Sequence, residues 1–297
     1  MLQRVLTHWR SLSENVQGSI WIILASFLGA VMGGVIKFVG QRIPVFEILF
    51  IRQICVLLII SPLLIRNPIK LFKTNKLKLH MMRGTFAAIA MITGFTALVH
   101  LPLAEATAIS FAQTLFTTLL AIIFLKEIVG IRRWTATIVG FVGVLIIIRP
   151  SPDRINEYAI LALISSLFVA GIIVVLRRLA QTDTPSTIMA YQSLFVTVIM
   201  TGPAVYFWIM PTWLELTLTL MIGGLMSAMQ WMRIQGMKAA EAASVAPFEY
   251  VRLIFATLIG IIIFSEIPTV WTVIGSVIII GSTLYTLKRN AAREQIN

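Results

Sequence analysis

Long apolar runs, separated by short polar segments, follow one another from Gly18 almost to the end of the chain. An α-helix needs about 20 apolar residues to cross the hydrocarbon core of a bilayer. By this criterion the sequence predicts ten transmembrane helices, over residues 18–38, 46–64, 79–99, 103–125, 131–149, 157–179, 186–208, 213–236, 242–264 and 268–287. We therefore expect an all-α integral membrane protein in which no segment is left for a soluble domain.

The composition supports this prediction and limits the partners. Of the 297 residues, 58% are hydrophobic and 12% are charged, whereas soluble domains average about 25% charged residues. The net charge of +12 comes from lysines and arginines scattered over short loops, which form no continuous basic surface for a nucleic acid. We expect the lipid bilayer and a small-molecule substrate as partners, with no nucleic acid, and a monomer or weak dimer.

The basic residues are distributed unequally between alternate loops. If the N-terminus is cytoplasmic, eighteen of the 24 lie in inner segments and four, Lys37, Arg42, Arg149 and Arg154, lie in outer ones. Cytoplasmic loops of membrane proteins are enriched in lysine and arginine. The bias predicts a multi-pass protein of the cell inner (plasma) membrane with cytoplasmic tails at 1–17 and 288–297.

Two stretches of the first half recur in the second. The segment LAEATAISF at 103–111 is similar to AAEAASVAPF at 239–248, and TLLAIIFLKE at 118–127 is similar to TLIGIIIFSE at 257–266. A duplication explains both similarities. Each copy, 18–150 and 151–287, would contain five helices, and since five is odd the second copy is inverted in the membrane. Secondary transporters are commonly built from such inverted repeats, with a substrate site near the midplane.

Together with APFEY at 246–250 and the FSE that follows at 264–266, these segments resemble the drug/metabolite transporter superfamily with EamA-type domains. The resemblance covers nearly the whole chain and implies a ten-helix carrier. The members of this superfamily include amino-acid exporters and uptake carriers for vitamins and S-adenosylmethionine. Where first repeats of this family often carry a proline in helix 4, this chain has Ala112-Gln113-Thr114, so we expect helix 4 to be less kinked than helix 9.

Helix 9 carries two opposite charges in an apolar setting. Arg252 lies about 15 Å along the predicted helix, near the midplane, and Glu249 precedes it by one turn on the same face. Pro247 interrupts the hydrogen bonding there, which favours a segment that faces a cavity. One interpretation is a structural ion pair. In the other, Arg252 binds a carboxylate or another anion and Glu249 accepts an ammonium group or a proton.

Other polar and aromatic side chains within helices are weaker candidates. Arg52 could contact substrate, snorkel toward the outer interface or join helices with Glu47 as its partner. One face of helix 8 carries Gly223, Ser227, Gln230 and Arg233, and one face of helix 4 carries Ser110, Gln113 and Thr117. Each face is interpreted either as tight helix packing or as a cavity wall. The candidate substrate-binding residues are Glu249, Arg252, Tyr250, Gln113, Gln230, Trp231, Tyr191, Gln192, Arg52 and Phe95.

Two simpler interpretations concern charges at helix ends and spaced glycines. Glu105, Glu127, Glu241 and Glu266 are expected to be satisfied there by water or the backbone. Gly29 and Gly33 are expected to mark close helix crossings.

The chemistry of the chain argues against an enzyme. Asp153 and Asp183 lie in loops, the three histidines lie in tails or at helix ends, and neither a nucleophile elbow nor a phosphate-binding loop occurs. We therefore expect no catalytic residue, no metal, no cofactor and no ATP drive. A channel would need rings of like groups along a pore, whereas the charges within the helices here are few and paired, so a channel is not favoured. The expected function is secondary transport of a small polar or amphipathic metabolite by alternating access, with an amino acid or related zwitterion as substrate. The alternative is an uptake carrier for an S-adenosylmethionine-like compound or a vitamin, and protons are a candidate coupling ion.

Overall fold

The computed structural model describes residues 14–66, 72, 74–125, 131–149, 156–179, 181–239 and 246–294. The ten predicted helices are confirmed, and within the described residues the chain forms helices and connecting turns only. In chain order they are α1 (Glu14–Val39), α2 (Val45–Arg66), α3 (Leu77–His100), α4a (Leu103–Ser110), α4b (Ala112–Leu125), α5 (Ile131–Ile148), α6 (Glu157–Leu179), α7 (Pro185–Tyr206), α8 (Trp213–Ala239), a 3-10 turn (Ala246–Tyr250) that leads into α9 (Val251–Phe264), and α10 (Val270–Glu294). The first helix begins before its predicted start at 18, and the last continues beyond 287.

Five segments in the described part of the chain are long and apolar enough to span a membrane by themselves. They are Val16–Val39, Leu77–His100, Leu103–Phe124, Glu157–Leu179 and Ser186–Tyr206. Two further apolar stretches, Thr137–Ile148 and Val270–Ser282, are shorter. A 24-residue helix is about 36 Å long at 1.5 Å per residue, which exceeds the ~30 Å hydrocarbon core.

The helices of the two halves interlock in symmetric pairs. The most extensive contact, between α1 and α8, has its counterpart between α6 and α3, and the contact between α1 and α9 has its counterpart between α6 and α4b. Helices α2 and α7 pack against each other, as do α5 and α10, and in both pairs the two members hold the same position in their repeats. The main packing contacts are therefore made between the repeats rather than within them.

Glycines allow several of these crossings. A Cβ at Gly143 of α5 would lie 2.9 Å from the Gly275 carbonyl oxygen of α10. At Gly29 a Cβ would lie 3.1 Å from the Met229 sulfur, and at Gly33 it would lie 3.3 Å from a Leu103 methyl group. Real Cβ atoms rarely come so close to a neighbour, which agrees with the interpretation of Gly29 and Gly33 as close helix crossings.

Helix 4, which was expected to be less kinked than helix 9, is interrupted at Phe111. The Phe111 N–H donates to the Ala108 carbonyl at 3.2 Å, three residues back rather than four. The Ser110 hydroxyl donates to the Thr107 carbonyl at 2.6 Å, and the Thr114 hydroxyl donates to the Phe111 carbonyl at 2.8 Å. Hydroxyl side chains supply these alternative bonds, so the interruption of helix 4 needs no proline.

Helix 9 is also irregular at the corresponding place. Its described part begins with the 3-10 turn Ala246–Tyr250, which contains Pro247, and it becomes α-helical at Val251. The predicted start at 242 lies outside the described residues, as do Glu127, Asp153 and Glu241. The two interrupted helices are neighbours, since α4a contacts α9.

Candidate functional site

A cavity of about 230 Å³ lies between helices of both repeats. Its walls come from α3, α4a, α6 and the first turn of α9. Most of the lining is apolar, including Met91, Phe95 and Leu98. The polar side chains of the lining are those of Thr107, Ser110, Ser165 and Arg252. A largely apolar cavity with a few polar groups at the interface of inverted repeats is the arrangement typical of a substrate site.

Arg252 supplies the single guanidinium among the residues that line this cavity. Its Nη2 donates to the Ser110 hydroxyl oxygen at 3.1 Å, and its Cζ lies 6.0 Å from the centre of the Phe111 ring. Gly29 leaves room for the arginine, since a Cβ there would lie 3.3 Å from Arg252 Cδ. Both contacts come from the interrupted part of helix 4, so the break at Phe111 places the hydroxyl and the ring against the cation.

Glu249 does not pair with Arg252, contrary to the structural ion pair considered above. Its Oε1 lies 3.0 Å from Nε of Arg233 on α8, and both side chains are about one-third exposed. Glu249 lies in the 3-10 turn Ala246–Tyr250 that precedes α9, and its side chain is directed to α8. The carboxylate is thus bound to a second-repeat arginine, and Arg252 keeps a hydroxyl and an aromatic ring as its contacts.

Arg52 lies in the interior, 3% exposed, and does not snorkel to the interface. Its Nη1 lies 3.4 Å from the Met91 sulfur, its Nη2 contacts the Met226 sulfur, and its Cζ lies 5.7 Å from the centre of the Phe95 ring. Glu47, the expected partner, instead accepts a hydrogen bond from the Ile209 N–H at 3.0 Å. Met91 and Phe95 also line the cavity, so Arg52 lies directly behind its wall.

The other candidates are placed elsewhere. The Tyr191 hydroxyl donates to the Phe72 carbonyl at 2.9 Å, and its ring stacks on His80 with 4.4 Å between the ring centres. Tyr250 packs edge-to-face against Phe111. Trp231 is half exposed and packs edge-to-face against Trp21. Gln113 and Gln192 are half-buried and Gln230 is exposed, and none of the three lines the cavity.

The structure therefore brings Arg252 and Phe95 to the cavity, with Arg52 behind its wall. In the helix 8 stripe, Gly223 marks close helix packing, since a Cβ there would lie 2.9 Å from the Cys55 sulfur. Ser165 is a lining residue that the sequence analysis missed. It belongs to a pair of adjacent serines in the otherwise apolar α6, and that pair was a signal that could have found it.

Ionic contacts join the repeats at the end of the bundle where α1 ends. Lys37 is paired with Glu266, whose Oε2 also accepts from the Leu103 N–H at 2.8 Å, so Glu266 has a charged partner besides the expected backbone one. Arg42, in the loop after α1, binds Glu215 at the start of α8 through both Nε and Nη2. Hydrogen bonding to Glu215 raises the pKa of the Arg42 guanidinium above its usual value, so Arg42 stays charged throughout the physiological pH range.

A second contact joins the repeats at the opposite end, where α3 begins. The Nε2 of the buried His80 lies 2.9 Å from the Asp183 carboxylate, which also accepts from the Thr74 hydroxyl at 3.0 Å. Asp183 follows α6 and His80 is in the first turn of α3. Each end of the bundle thus has an acidic residue of the second repeat bound to a basic or imidazole side chain of the first.

Comparison with known proteins agrees with this architecture. A family model described as the EamA-like transporter family matches residues 16–149 and 157–288, and each matched segment contains five helices. One solved structure, described as the crystal structure of a protein, has a TM-score of 0.60 at 15% identity and covers 93% of this chain and 99% of that chain. This similarity shows a shared fold, and the family match confirms the resemblance to EamA-type carriers.

Named relatives cover almost the full length. The S-adenosylmethionine uptake transporter of Rickettsia prowazekii is 25% identical over 93% of this chain and 94% of its own length. The riboflavin transporter of Brucella anthropi is 28% identical over 86% of this chain and 93% of its own length. The pseudopaline exporter of Pseudomonas aeruginosa is 28% identical over 89% of this chain and 93% of its own length. These relatives are transporters, and their names differ in substrate and in direction.

Proposed function

The chain belongs to the EamA-like transporter family, and from that premise we propose that it carries a small amphipathic metabolite with a carboxylate group across the cell inner (plasma) membrane. The observation that carries the proposal is the Arg252 guanidinium in the wall of a largely apolar cavity. Glu249 is bound to Arg233, so it does not neutralise Arg252 by direct contact. A ligand carboxylate would supply the charge that this cation lacks.

The chemistry of the cavity fits such a ligand. An arginine binds a carboxylate through two parallel N–H donors, and the Ser110 hydroxyl, which accepts from Arg252 and donates to the Thr107 carbonyl, holds the guanidinium in the cavity wall. Phe95, Met91 and Leu98 offer an apolar surface to the rest of the molecule. The volume of about 230 Å³ is below the ~300–1,000 Å³ of typical ligand sites, which favours a small metabolite.

Two substrate classes have the carboxylate that Arg252 would bind. An amino acid or related zwitterion has the right size and one carboxylate, although none of the relatives described above is named for an amino acid. S-adenosylmethionine also has an α-carboxylate, and it is favoured by the name of the Rickettsia relative. Riboflavin has no carboxylate, so a riboflavin carrier would use this cavity differently.

Transport would follow from the interlocked repeats. Two five-helix units, 18–150 and 151–287, that rock against each other would open the cavity to each side of the membrane in turn. In this mechanism the protein is a secondary transporter rather than an enzyme or a channel, and both termini lie in the cytoplasm. Protons remain the proposed coupling ion, with Glu249 as their carrier when its contact with Arg233 opens.

Counterflow in proteoliposomes tests the proposal. Vesicles that contain the purified full chain would be loaded in turn with unlabelled amino acids, S-adenosylmethionine and riboflavin, and the uptake of the labelled compound would be followed. We expect counterflow for a carboxylate-bearing compound and no competition by its methyl ester. Arg252→Gln should abolish it, Arg252→Lys should retain part of it, and Arg149→Gln, at the exposed end of α5, should behave as wild type. Counterflow of riboflavin alone, with Arg252→Gln fully active, would refute the proposal.

A further inference from the structure

Arg52 is a buried cation whose contacts are unusually weak. A guanidinium has five N–H donors, and buried arginines are normally paired with carboxylates or carbonyl oxygens. Here the described contacts are the sulfurs of Met91 and Met226 and the face of the Phe95 ring. Its Nε has no hydrogen-bond partner among the described residues. Thioether sulfurs are weak acceptors, so most of the hydrogen-bonding capacity of Arg52 is unused.

The charge is also uncompensated within the described part of the protein. The acidic residue nearest to it along α2, Glu47, is fully buried and bonded to the Ile209 N–H. A charge at membrane depth is energetically expensive, and such residues usually have a partner or a function. The described structure supplies no anionic partner for Arg52.

The position of Arg52 connects this unsatisfied cation to the cavity. Met91 and Phe95 contact Arg52, and both also line the cavity that contains Arg252. Met91 is unbranched and has three rotatable bonds, so it can turn away from the guanidinium at little energetic expense. The Met91 and Phe95 side chains therefore separate a buried, under-bonded cation from the proposed substrate site, and Met91 is the flexible one of the two.

We propose that Arg52 is a second anion-binding residue of this cavity, reached when the Met91 side chain moves, and that it selects substrates with a second anionic group. This inference rests on the proposed function, in which Arg252 binds the first carboxylate. The second group, a carboxylate or a phosphate monoester, replaces the thioether contacts with charge-assisted hydrogen bonds. The substrate class is then a small zwitterion with two anionic groups, held between Arg252 and Arg52.

Matched ligand pairs test the selectivity. Each pair differs in one anionic group: glutamate with glutamine, aspartate with asparagine, and phosphoserine with serine. Their ability to compete for counterflow would be measured with the full chain in proteoliposomes. In the wild type we expect at least one acidic member to compete tenfold or more better than its neutral partner. The first two pairs report a second carboxylate and the third reports a phosphate.

Three variants locate the effect. Arg52→Gln should bring the competition ratio of each pair to about one while the neutral member still competes. Arg52→Lys should keep part of the ratio, since it retains the charge but loses the forked donors. Met91→Leu keeps the volume but introduces a branched, less flexible side chain, so it should lower the ratio if Met91 has to move. If Arg52→Gln does not fold, the Lys and Leu variants provide the measurement by themselves.

The outcomes separate this inference from the function on which it rests. If neutral zwitterions compete in an Arg252-dependent manner and no acidic member competes better, or if the ratio survives in Arg52→Gln, Arg52 is a structural cation and the inference is wrong. In the case of a misfolded Gln variant, a ratio unchanged in Arg52→Lys would be the overturning result. If no carboxylate ligand competes in any variant, the proposed function itself fails.

Discussion

Lys37, in the last turn of α1, forms a buried ion pair with Glu266, which lies two residues beyond the end of α9. Glu266 also accepts a hydrogen bond from the Leu103 N–H, and the Lys37 ammonium donates to the Leu101 carbonyl. The contact therefore ties the end of α9, in the second repeat, to α1 and the start of α4a in the first. A transporter that opens at this end has to break it.

We first predict that Lys37→Met destabilises the protein and makes this end easier to open. Loss of the lysine leaves a largely buried carboxylate with one backbone donor, which should lower the free energy of unfolding by about 1–3 kcal/mol. The measurement is unfolding in SDS, together with the rate of counterflow. In the double variant Lys37→Met/Glu266→Gln the loss should be smaller than the sum of the single losses.

Arg42→Gln is the matched control for that prediction. It removes an ionic contact at the same end of the bundle, but Arg42 is 45% exposed in its side chain, and exposed ion pairs contribute roughly 0–1 kcal/mol. If Lys37→Met lost no more stability than Arg42→Gln, the ion pair with Glu266 would have no special role in holding the repeats together.

A second prediction concerns the room that Gly29 leaves for Arg252. A Cβ at this position would lie 3.1 Å from the Met229 sulfur and 3.3 Å from Arg252 Cδ, so Gly29→Ala should shift the arginine in the cavity wall. Overpacking of this kind commonly costs about 1–3 kcal/mol, and we expect the KM for the transported substrate to rise by roughly tenfold. The variant is measured by counterflow over a range of substrate concentrations.

Gly224 offers the comparison for Gly29. A Cβ there would have no neighbour within 4 Å, so Gly224→Ala adds the same methyl group without a contact. It should leave the KM unchanged. Equal effects of the two substitutions would mean that a general change in helix stability, and not the position of Arg252, is responsible.

The number of helices and their repetition could be predicted because both signals are local in sequence. A run of about 20 apolar residues specifies a membrane helix whatever its neighbours are, and the similarity between 118–127 and 257–266 is visible without a structure. The break at Phe111 was missed because serine and threonine hydroxyls, rather than a proline, replace the regular hydrogen bonds there.

The partners of the charged residues could not be predicted in the same way. A structural ion pair between Glu249 and Arg252 was one interpretation of their three-residue spacing, whereas the Glu249 carboxylate binds Arg233 on another helix. Snorkelling of Arg52 toward the outer interface was one of three alternatives, because few residues of its own helix precede it. Its burial is decided by Met226, 174 residues away in sequence, and such contacts between distant helices leave no local pattern.

The orientation in the membrane gives a third prediction. Cys55 is the only cysteine, so a Cys55→Ser protein is a clean background for single cysteines at Asn156 and Gln181, both of which are exposed. With the termini in the cytoplasm, a membrane-impermeant maleimide applied to intact cells should label the cysteine at 156, between α5 and α6. The cysteine at 181, between α6 and α7, should react only after the cells are broken. The reverse pattern would contradict the distribution of lysine and arginine as a guide to topology.

A fourth prediction concerns the role of Arg233 in keeping Glu249 away from Arg252. If Arg233→Gln removes the partner at 3.0 Å, the carboxylate of Glu249 is free to turn toward the cation three residues later. It would then compete with a substrate carboxylate for Arg252, and we expect the apparent affinity to fall by roughly tenfold, within the 0.5–3 kcal/mol range of coupling between neighbouring residues. Ligand-induced melting of the purified protein, with the substrate found by counterflow, measures the change.

The double variant Arg233→Gln/Glu249→Gln decides whether that explanation is right. It removes both members of the ion pair, so no internal carboxylate remains to occupy Arg252, and substrate affinity should return to near the wild-type value. Glu249→Gln alone should also weaken substrate binding little. No internal carboxylate then competes for Arg252, and Arg252 keeps its Ser110 contact at 3.1 Å. If the double variant bound substrate as poorly as Arg233→Gln, Arg233 would act on the substrate or on the fold directly, and competition by Glu249 would be excluded as the cause. A Glu249→Gln variant that binds normally but loses its dependence on a proton gradient would, in addition, identify Glu249 as the group that carries the coupling proton.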